Sequence, residues 1–227
     1  RLREESREKE VLLQEIHHRV KNNLNIISSL LNLQMDTITT PEQAKHALMA
    51  SQNRARSMGL IHEQLYRSVS LSQIKMAPYI KALANDLASI YEAQRRNISI
   101  KVNAENVHFS INTAIPTGLL LNELITNALK HAFPIENGND GREQNRIEVT
   151  IAERHNTNGS HWYELTVADN GTGLPDNFVQ EKSDSFGHRL VAVLTEQLNG
   201  ELSADEENGT KVSIVFQAAE EKGDEED

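Results

Sequence analysis

The sequence contains no cysteine. Disulfides and thiolate metal sites are excluded, and the chain fits a reducing compartment such as the cytoplasm. Aromatic residues are scarce, at 4% of 227 residues, so the core is expected to be built from Leu, Ile, Val and Ala. No apolar run approaches the ~18 residues of a membrane-spanning helix. No N-terminal stretch has the layout of a signal peptide, so no membrane contact is expected of this segment. There is no excess of basic residues either: the net charge is -10, which disfavours a nucleic-acid partner. Six acids and one lysine crowd into residues 220–227 and supply half of that charge. Residues 218–227 therefore read as an acidic, disordered tail. The chain opens on Arg1 rather than methionine, which reads as a piece of something longer.

What is present begins with helices. Leu13, Ile16, Val20, Leu24, Ile27 and Leu31 recur at three- and four-residue steps without Gly or Pro, which predicts one long helix over residues 1–36. The charged run RLREESREKE before them resembles a coiled-coil lead-in. Residues 36–41 break the pattern. TTPEQ restarts a helix, with Thr40 as N-cap, Pro41 in the first position and Gln43 in the third. This second helix is expected to reach about Arg67, with Leu48, Ala55, Met58, Ile61 or His62, and Leu65 as its apolar stripe. Two amphipathic helices joined by a short loop form a hairpin. Such a hairpin buries one side only. It is satisfied either by pairing with its own copy as a four-helix bundle or by packing on the rest of its chain.

The texture changes near Met76. Residues 78–94 read as a helix and 98–102 as a strand. Residues 114–133 form a helix stopped by Pro134. RIEVTIAE and YELTVAD read as neighbouring strands, residues 185–199 as a helix, and GELSA and TKVSIVF as two more strands. The fold class is therefore α+β, with helices on one face of a mixed or antiparallel sheet.

Two histidines sit side by side in EIHHRVKNNLN (15–25). On a wheel of about 100° per residue, His17 flanks the apolar stripe and His18 lies opposite it, among Gln14, Glu15, Asn22, Asn25 and Ser29. The wheel alone leaves His18 as either a solvated polar residue or an exposed nucleophile, since a neutral imidazole can attack through one nitrogen while the other is held. In LLLNELITNALKHAF (119–133), Leu121, Ile125, Ala128, Leu129 and Ala132 share one face. Glu123, Asn127, Lys130 and His131 share the opposite one. That polar set is either a solvated face or a site for Mg²⁺ and phosphates. Strand YELTVAD runs into DNGTG (169–173), which is either an ordinary turn or a place where glycines let a planar ligand approach an acceptor carboxylate. SFGHRLV (185–191) opens a helix, and helix N-termini favour phosphate. The stretch between these two glycine sites reads as a mobile lid. NGT (208–210) puts a hydroxyl near the sheet edge. No GxxxxGK[ST] motif occurs, so this is not a P-loop protein.

Taken in order, the histidine hairpin, N-E-L-x-x-N-A-x-K-H, D-N-G-x-G, the glycine helix start and G-T resemble the transmitter core of a sensor histidine kinase over nearly the whole chain. EIHHRVKNNL resembles the subgroup related to the HWE kinases. The resemblance implies an N-terminal hairpin for dimerisation and phosphotransfer (residues 1–70), then an ATP-binding domain (76–217) with the GHKL, or Bergerat, α/β sandwich. It implies autophosphorylation of His18 from Mg-ATP, then transfer to an aspartate of a response regulator receiver domain, from a homodimer paired through the hairpin. Asn127 would ligate Mg²⁺, and Glu123 would orient a water or act as a polar base near the phosphates. Lys130, His131 and Gly187 would serve the phosphates. Asp169, Gly171, Gly173 and Thr210 would hold the adenine end. The chain departs from the pattern at the last glycine site, where SFGH stands for the usual GLGL. That departure supports an alternative, a GHKL protein that docks or relays phosphate without kinase activity of its own. WYE (162–164) mimics the W-x-E of strict HWE kinases but lies at a strand start, so Trp162 reads as a structural edge residue.

Overall fold

The structure, a computed structural model, describes residues 28, 35, 38–67, 73–134, 144–155, 161–173, 186–206 and 208–218. Of the predicted first helix only Ser28 and Met35 are described, both helical; His17 and His18, the proposed lid and the acidic tail beyond residue 218 lie outside the described residues. The chain divides into two compact units, Arg1–Ala55 and Arg56–Asp227. Helix α1 (Pro41–Arg67) runs through the boundary.

In the first unit, α1 starts where TTPEQ predicts. Gln43 N–H donates to the Thr40 hydroxyl at 3.2 Å, and Thr40 N–H donates to the Gln43 side-chain oxygen at 3.2 Å. This reciprocal pair satisfies two donors that a helix start otherwise leaves open. The predicted apolar stripe is corrected here. Leu48 is 68% exposed and Ala55 is exposed, whereas Ala47 is buried. Asn53, Arg54 and Ser57 are buried too, and of the predicted stripe Met58 is buried as expected, so the buried face is shifted toward Ala47, Arg54 and Ser57 and carries polar residues.

The second unit begins with the C-terminal part of α1. Ser57 is buried, and its hydroxyl lies 2.9 Å from the phenol of Tyr79 on helix α2 (Met76–Ile90). Arg56 meets Asp86 on the same helix at 2.7 Å. A short antiparallel pair, β1 (Ile74–Lys75) and β3 (His108–Phe109), closes one end. The main sheet contains β2 (Ile98–Asn103), β4 (Asn145–His155), β5 (His161–Asp169), β6 (Glu201–Asp205) and β7 (Lys211–Gln217) in the order β2-β4-β5-β7-β6. Strands β2 and β4 are parallel and the remaining pairs antiparallel. A parallel pair needs a crossover, and helix α3 (Ile111–Asn127) supplies it. The sheet is therefore mixed, and the α+β expectation holds.

Alternation along the strands sets the layers. Ile147, Val149, Ile151, Leu165, Val167, Val212, Ile214 and Phe216 are buried on one face. Arg146, Glu148, Glu164, Thr166 and Lys211 alternate with them. Helices α2, α3 and α4 (Phe186–Gln197) accompany the buried face. Three aromatics meet there: Phe109 lies edge-on to Tyr163 at 4.9 Å and to Phe216 at 5.7 Å between ring centroids.

Helix α3 starts at Ile111, three residues before the predicted Ala114, and gives way at Asn127 to a wider π-helical turn, Ala128–Ala132. It is not amphipathic in the predicted sense. Residues 113–126 are all buried, including Glu123 at 6% exposure, because the helix is packed on by α2 and α4 as well as by the sheet. Only at Asn127, Lys130 and His131 does its polar face reach solvent. Helix α4 begins at Phe186 and ends at Gln197.

Candidate nucleotide site

The C-terminal turn of α3 is fastened from two sides. Arg96, in the loop after α2, donates to the carbonyl oxygens of Leu129 and, at 2.7 Å, Phe133. The last carbonyls of a helix lack partners within it, and a guanidinium suits their negative end. From the other side, Thr172 N–H donates to Ala132 O at 2.9 Å. A π turn places side chains at an unusual angle and needs such support. It carries Lys130 and His131. The Lys130 ammonium stands 5.7 Å from the centroid of the Tyr91 ring, within cation–π range.

The loop after β5 docks on this turn. A side chain on Gly171 would overlap Ala132 O and approach the Ala132 Cβ to 2.6 Å, so glycine is required by the helix end. Gly173 has a φ of 82° and Gly209 a φ of 121°. A side chain on Gly209 would also collide with the backbone of Asp169. Between these glycines, Asp169 is held by its own network. Its Oδ1 accepts from Gly171 N–H at 3.0 Å and Thr210 N–H at 3.2 Å, and its N–H donates to Thr210 O at 2.8 Å. Burial still pushes its carboxyl above the usual aspartate value, although the bonds from Gly171 and Thr210 pull the other way. Sequence reasoning missed Asn170. Its Oδ1 accepts Arg146 N–H at 2.7 Å and its amide donates to Gln144 O at 3.2 Å, which pins the loop to β4. An Asn directly after a strand end is the signal that marks it.

Helix α4 brings the third glycine site. A side chain on Gly187 would stand 3.5 Å from Glu123 Oε2, so the first turn of α4 lies against the polar side of α3. His188 follows, half-buried. Burial lowers its pKa from the ordinary histidine value, and His131 lowers it further, which places the two imidazoles within electrostatic reach. His131 is lowered by burial first and by Lys130 second. The structure thus gathers Glu123, Lys130, His131, Asp169, Gly171, Thr210 and Gly187 around one helix end, with Asn127 on that helix between Glu123 and Lys130. Gly173 closes the loop. His18 lies outside the described residues.

This arrangement offers an acceptor carboxylate fixed by backbone donors, then cationic or protonatable groups on the turn against which its loop docks. It suits a ligand with an amino-bearing planar group at one end and phosphates at the other. A family model described as "Histidine kinase-, DNA gyrase B-, and HSP90-like ATPase" matches residues 112–220, and a histidine kinase model of the HisKA_2 type matches residues 15–91. The sensor histidine kinase PdtaS of Mycolicibacterium smegmatis is 34% identical over 199 residues, 86% of this chain and 36% of the relative. Blue-light-activated histidine kinase 2 of Erythrobacter litoralis is 26% identical over 92% of this chain and 58% of its own. The chain thus spans little more than a third of the mycobacterial relative. Among solved structures, the histidine kinase domain of an Erythrobacter litoralis blue-light-activated kinase has a TM-score of 0.62 at 20% identity, covering 87% of this chain and 94% of that one. With a histidine-kinase segment and an ATPase segment matched in chain order, the chain belongs to the sensor histidine kinases of the HWE-related group, with an ATP-binding domain of the GHKL fold.

Proposed function

We propose that this chain is the catalytic core of a sensor histidine kinase that autophosphorylates His18 from Mg-ATP and passes the phosphoryl group to an aspartate of a response regulator. The reading is supported most directly by Asp169. A half-buried acceptor, gripped by Gly171 and Thr210 and joined through Ala132 to Lys130 and His131, has the polarity of an adenine-and-phosphate ligand. His18 falls within the matched histidine-kinase segment, in EIHHRVKNNL.

In this reading residues 1–70 form the phosphotransfer hairpin, residues 76–217 the ATP-binding domain and residues 218–227 the tail. The hairpin pairs two chains as a homodimer. Asp169 accepts from the adenine amino group, with Thr210 beside it. Gly171 and Gly173 shape the loop around it. Lys130, His131 and the Gly187 turn take the phosphates, and Glu123 holds the polar centre. A lone-pair nitrogen of His18 attacks the γ-phosphorus. The P–O bond to ADP breaks as the N–P bond forms, and the other ring nitrogen sheds its proton. The protein's main contribution is alignment and charge placement. Among the described residues no cluster of three or more His, Asp or Glu could hold a metal by itself. That suits Mg²⁺, which keeps water and phosphate ligands and needs few from protein. Asn127 would supply the amide oxygen, and the ion would offset phosphate charge. Among the described residues no helix is long and apolar enough to cross a membrane.

The test is incubation with γ-labelled ATP and Mg²⁺, comparing wild type, His18→Gln and His17→Gln. An acid-labile label absent from His18→Gln and kept in His17→Gln is expected. Nucleotide binding without any label would instead favour a docking or phosphorelay module, the reading that the SFGH departure supports.

A further inference from the structure

Helix α4 opens with Gly187 against Glu123, and His188 is the next residue. It is half-buried and within electrostatic reach of His131 on the π turn of α3. By helical spacing Asn127 lies between Glu123 and His131, so two imidazoles bracket the stretch assigned above to the metal and phosphates. The fixed cation near them, Lys130, is drawn over Tyr91 at 5.7 Å. Beside His188 stand Glu123, which meets the neighbouring Gly187, and His131 from α3, with Lys130 next to His131 and Arg189 on its own helix. Strand β6, which packs on α4, carries Glu201 and Asp205 at exposed positions. A polyphosphate placed there would meet Lys130, a helix N-terminus and two imidazoles that share one neighbourhood.

We propose that His188 is a phosphate-binding residue of the nucleotide site, paired with His131, and that protonation of this pair makes nucleotide affinity depend on pH. The inference rests on the nucleotide reading above. Burial lowers both pKa values, with Lys130 adding to it at His131 and His131 adding to it at His188, so protonation of either ring is disfavoured before phosphate binds. Phosphate charge reverses the balance and favours imidazolium. Binding therefore takes up protons and tightens as pH falls through the window between the free and bound pKa values, by at most tenfold per pH unit for each linked proton. His188 thereby fills with a titratable group the position where the family pattern has an apolar one.

The experiment is calorimetric titration of the full chain with ADP at constant Mg²⁺, from pH 6 to 8, in two buffers of different protonation heat. Wild type, His188→Leu and His188→Lys are compared. We expect His188→Leu to bind about tenfold more weakly at pH 6, with the gap closing by pH 8 and fewer protons taken up. His188→Lys should keep the affinity and flatten the pH profile, which a merely structural role would not produce. Equal proton uptake and parallel pH profiles in wild type and His188→Leu would overturn the inference while leaving nucleotide binding intact. Failure of wild type to bind ADP at all would overturn both readings. If His188→Leu does not fold, wild type decides alone: proton uptake no greater than the nucleotide's own phosphates account for sinks the proposal.

Discussion

Arg96 spans the end of helix α3, donating to Leu129 O and, at 2.7 Å, to Phe133 O. It lies 33 residues from the first of these in sequence, yet it settles where the Lys130–His131 turn stands. Because the contact is charge-assisted and partly buried, Arg96→Ala is expected to cost roughly 2–3 kcal/mol of stability. It should also weaken nucleotide binding without touching the ligand. Arg96→Lys restores charge but not the fork that reaches two carbonyls, so only part of the loss should return. Denaturant unfolding and nucleotide titration of the three proteins check this. An Arg96→Ala protein as stable as wild type would remove the capping role.

The glycines separate into two kinds. Gly171 is packed against Ala132, and Gly209 combines a φ of 121° with close approach to Asp169. Alanine at either must displace backbone, and a loss of about 2–4 kcal/mol is expected. Gly187 differs, since its added methyl would stand at ordinary contact distance, 3.5 Å from Glu123 Oε2. At a helical position alanine is favoured over glycine by up to about 1 kcal/mol. Gly187→Ala should therefore be as stable as wild type or slightly more so. Thermal unfolding of the three variants decides; a Gly187→Ala protein as damaged as Gly171→Ala would contradict the geometry.

Much of this was legible in the sequence because it is local. The Thr40–Gln43 capping box, the strands YELTVAD and TKVSIVF, and the D-N-G-x-G loop each announce themselves within a few residues. What was not legible depends on long-range packing. The burial of Glu123 follows from α2 and α4 flanking α3, which a helical wheel of α3 alone cannot show. The inward turn of Ala47 and outward turn of Leu48 likewise reverse a local pattern. Arg96 and Asn170 carry no motif of their own. Their roles exist only because distant backbone groups come within reach.

The Ser57–Tyr79 contact is buried on both sides, with the hydroxyls 2.9 Å apart. Removing one partner strands the other, so Ser57→Ala or Tyr79→Phe should each cost about 1–3 kcal/mol. The double variant leaves no orphan and should cost clearly less than their sum, which a double-mutant cycle measures. Burial also raises the Tyr79 phenol well above the ordinary tyrosine value of 10.0. The sign follows: the folded state keeps the phenol neutral, the unfolded chain ionises near pH 10, and stability is lost as pH rises beyond that point. Tyr79→Phe should flatten the alkaline limb. An unchanged limb would show that other groups set it.

Asp169 joins a stability argument to a binding argument of opposite sign. Burial raises its pKa, so the folded state disfavours the carboxylate. That disfavour is felt at neutral pH and fades as pH falls through the raised folded value towards the ordinary aspartate one. Asparagine is neutral throughout. Its side-chain oxygen can still accept from Gly171 and Thr210, the bonds that Oδ1 makes here. Asp169→Asn should therefore match or exceed wild type in stability at pH 7, with the difference shrinking towards pH 4. Binding should go the other way. Holding the amide oxygen on the backbone turns the Nδ2 donors outward, where an amino-bearing base needs an acceptor, and nucleotide affinity should fall by about tenfold or more. Thermal unfolding across pH, paired with nucleotide titration, reads both effects. A variant that loses stability but keeps affinity would make Asp169 a structural anchor and move the adenine acceptor elsewhere.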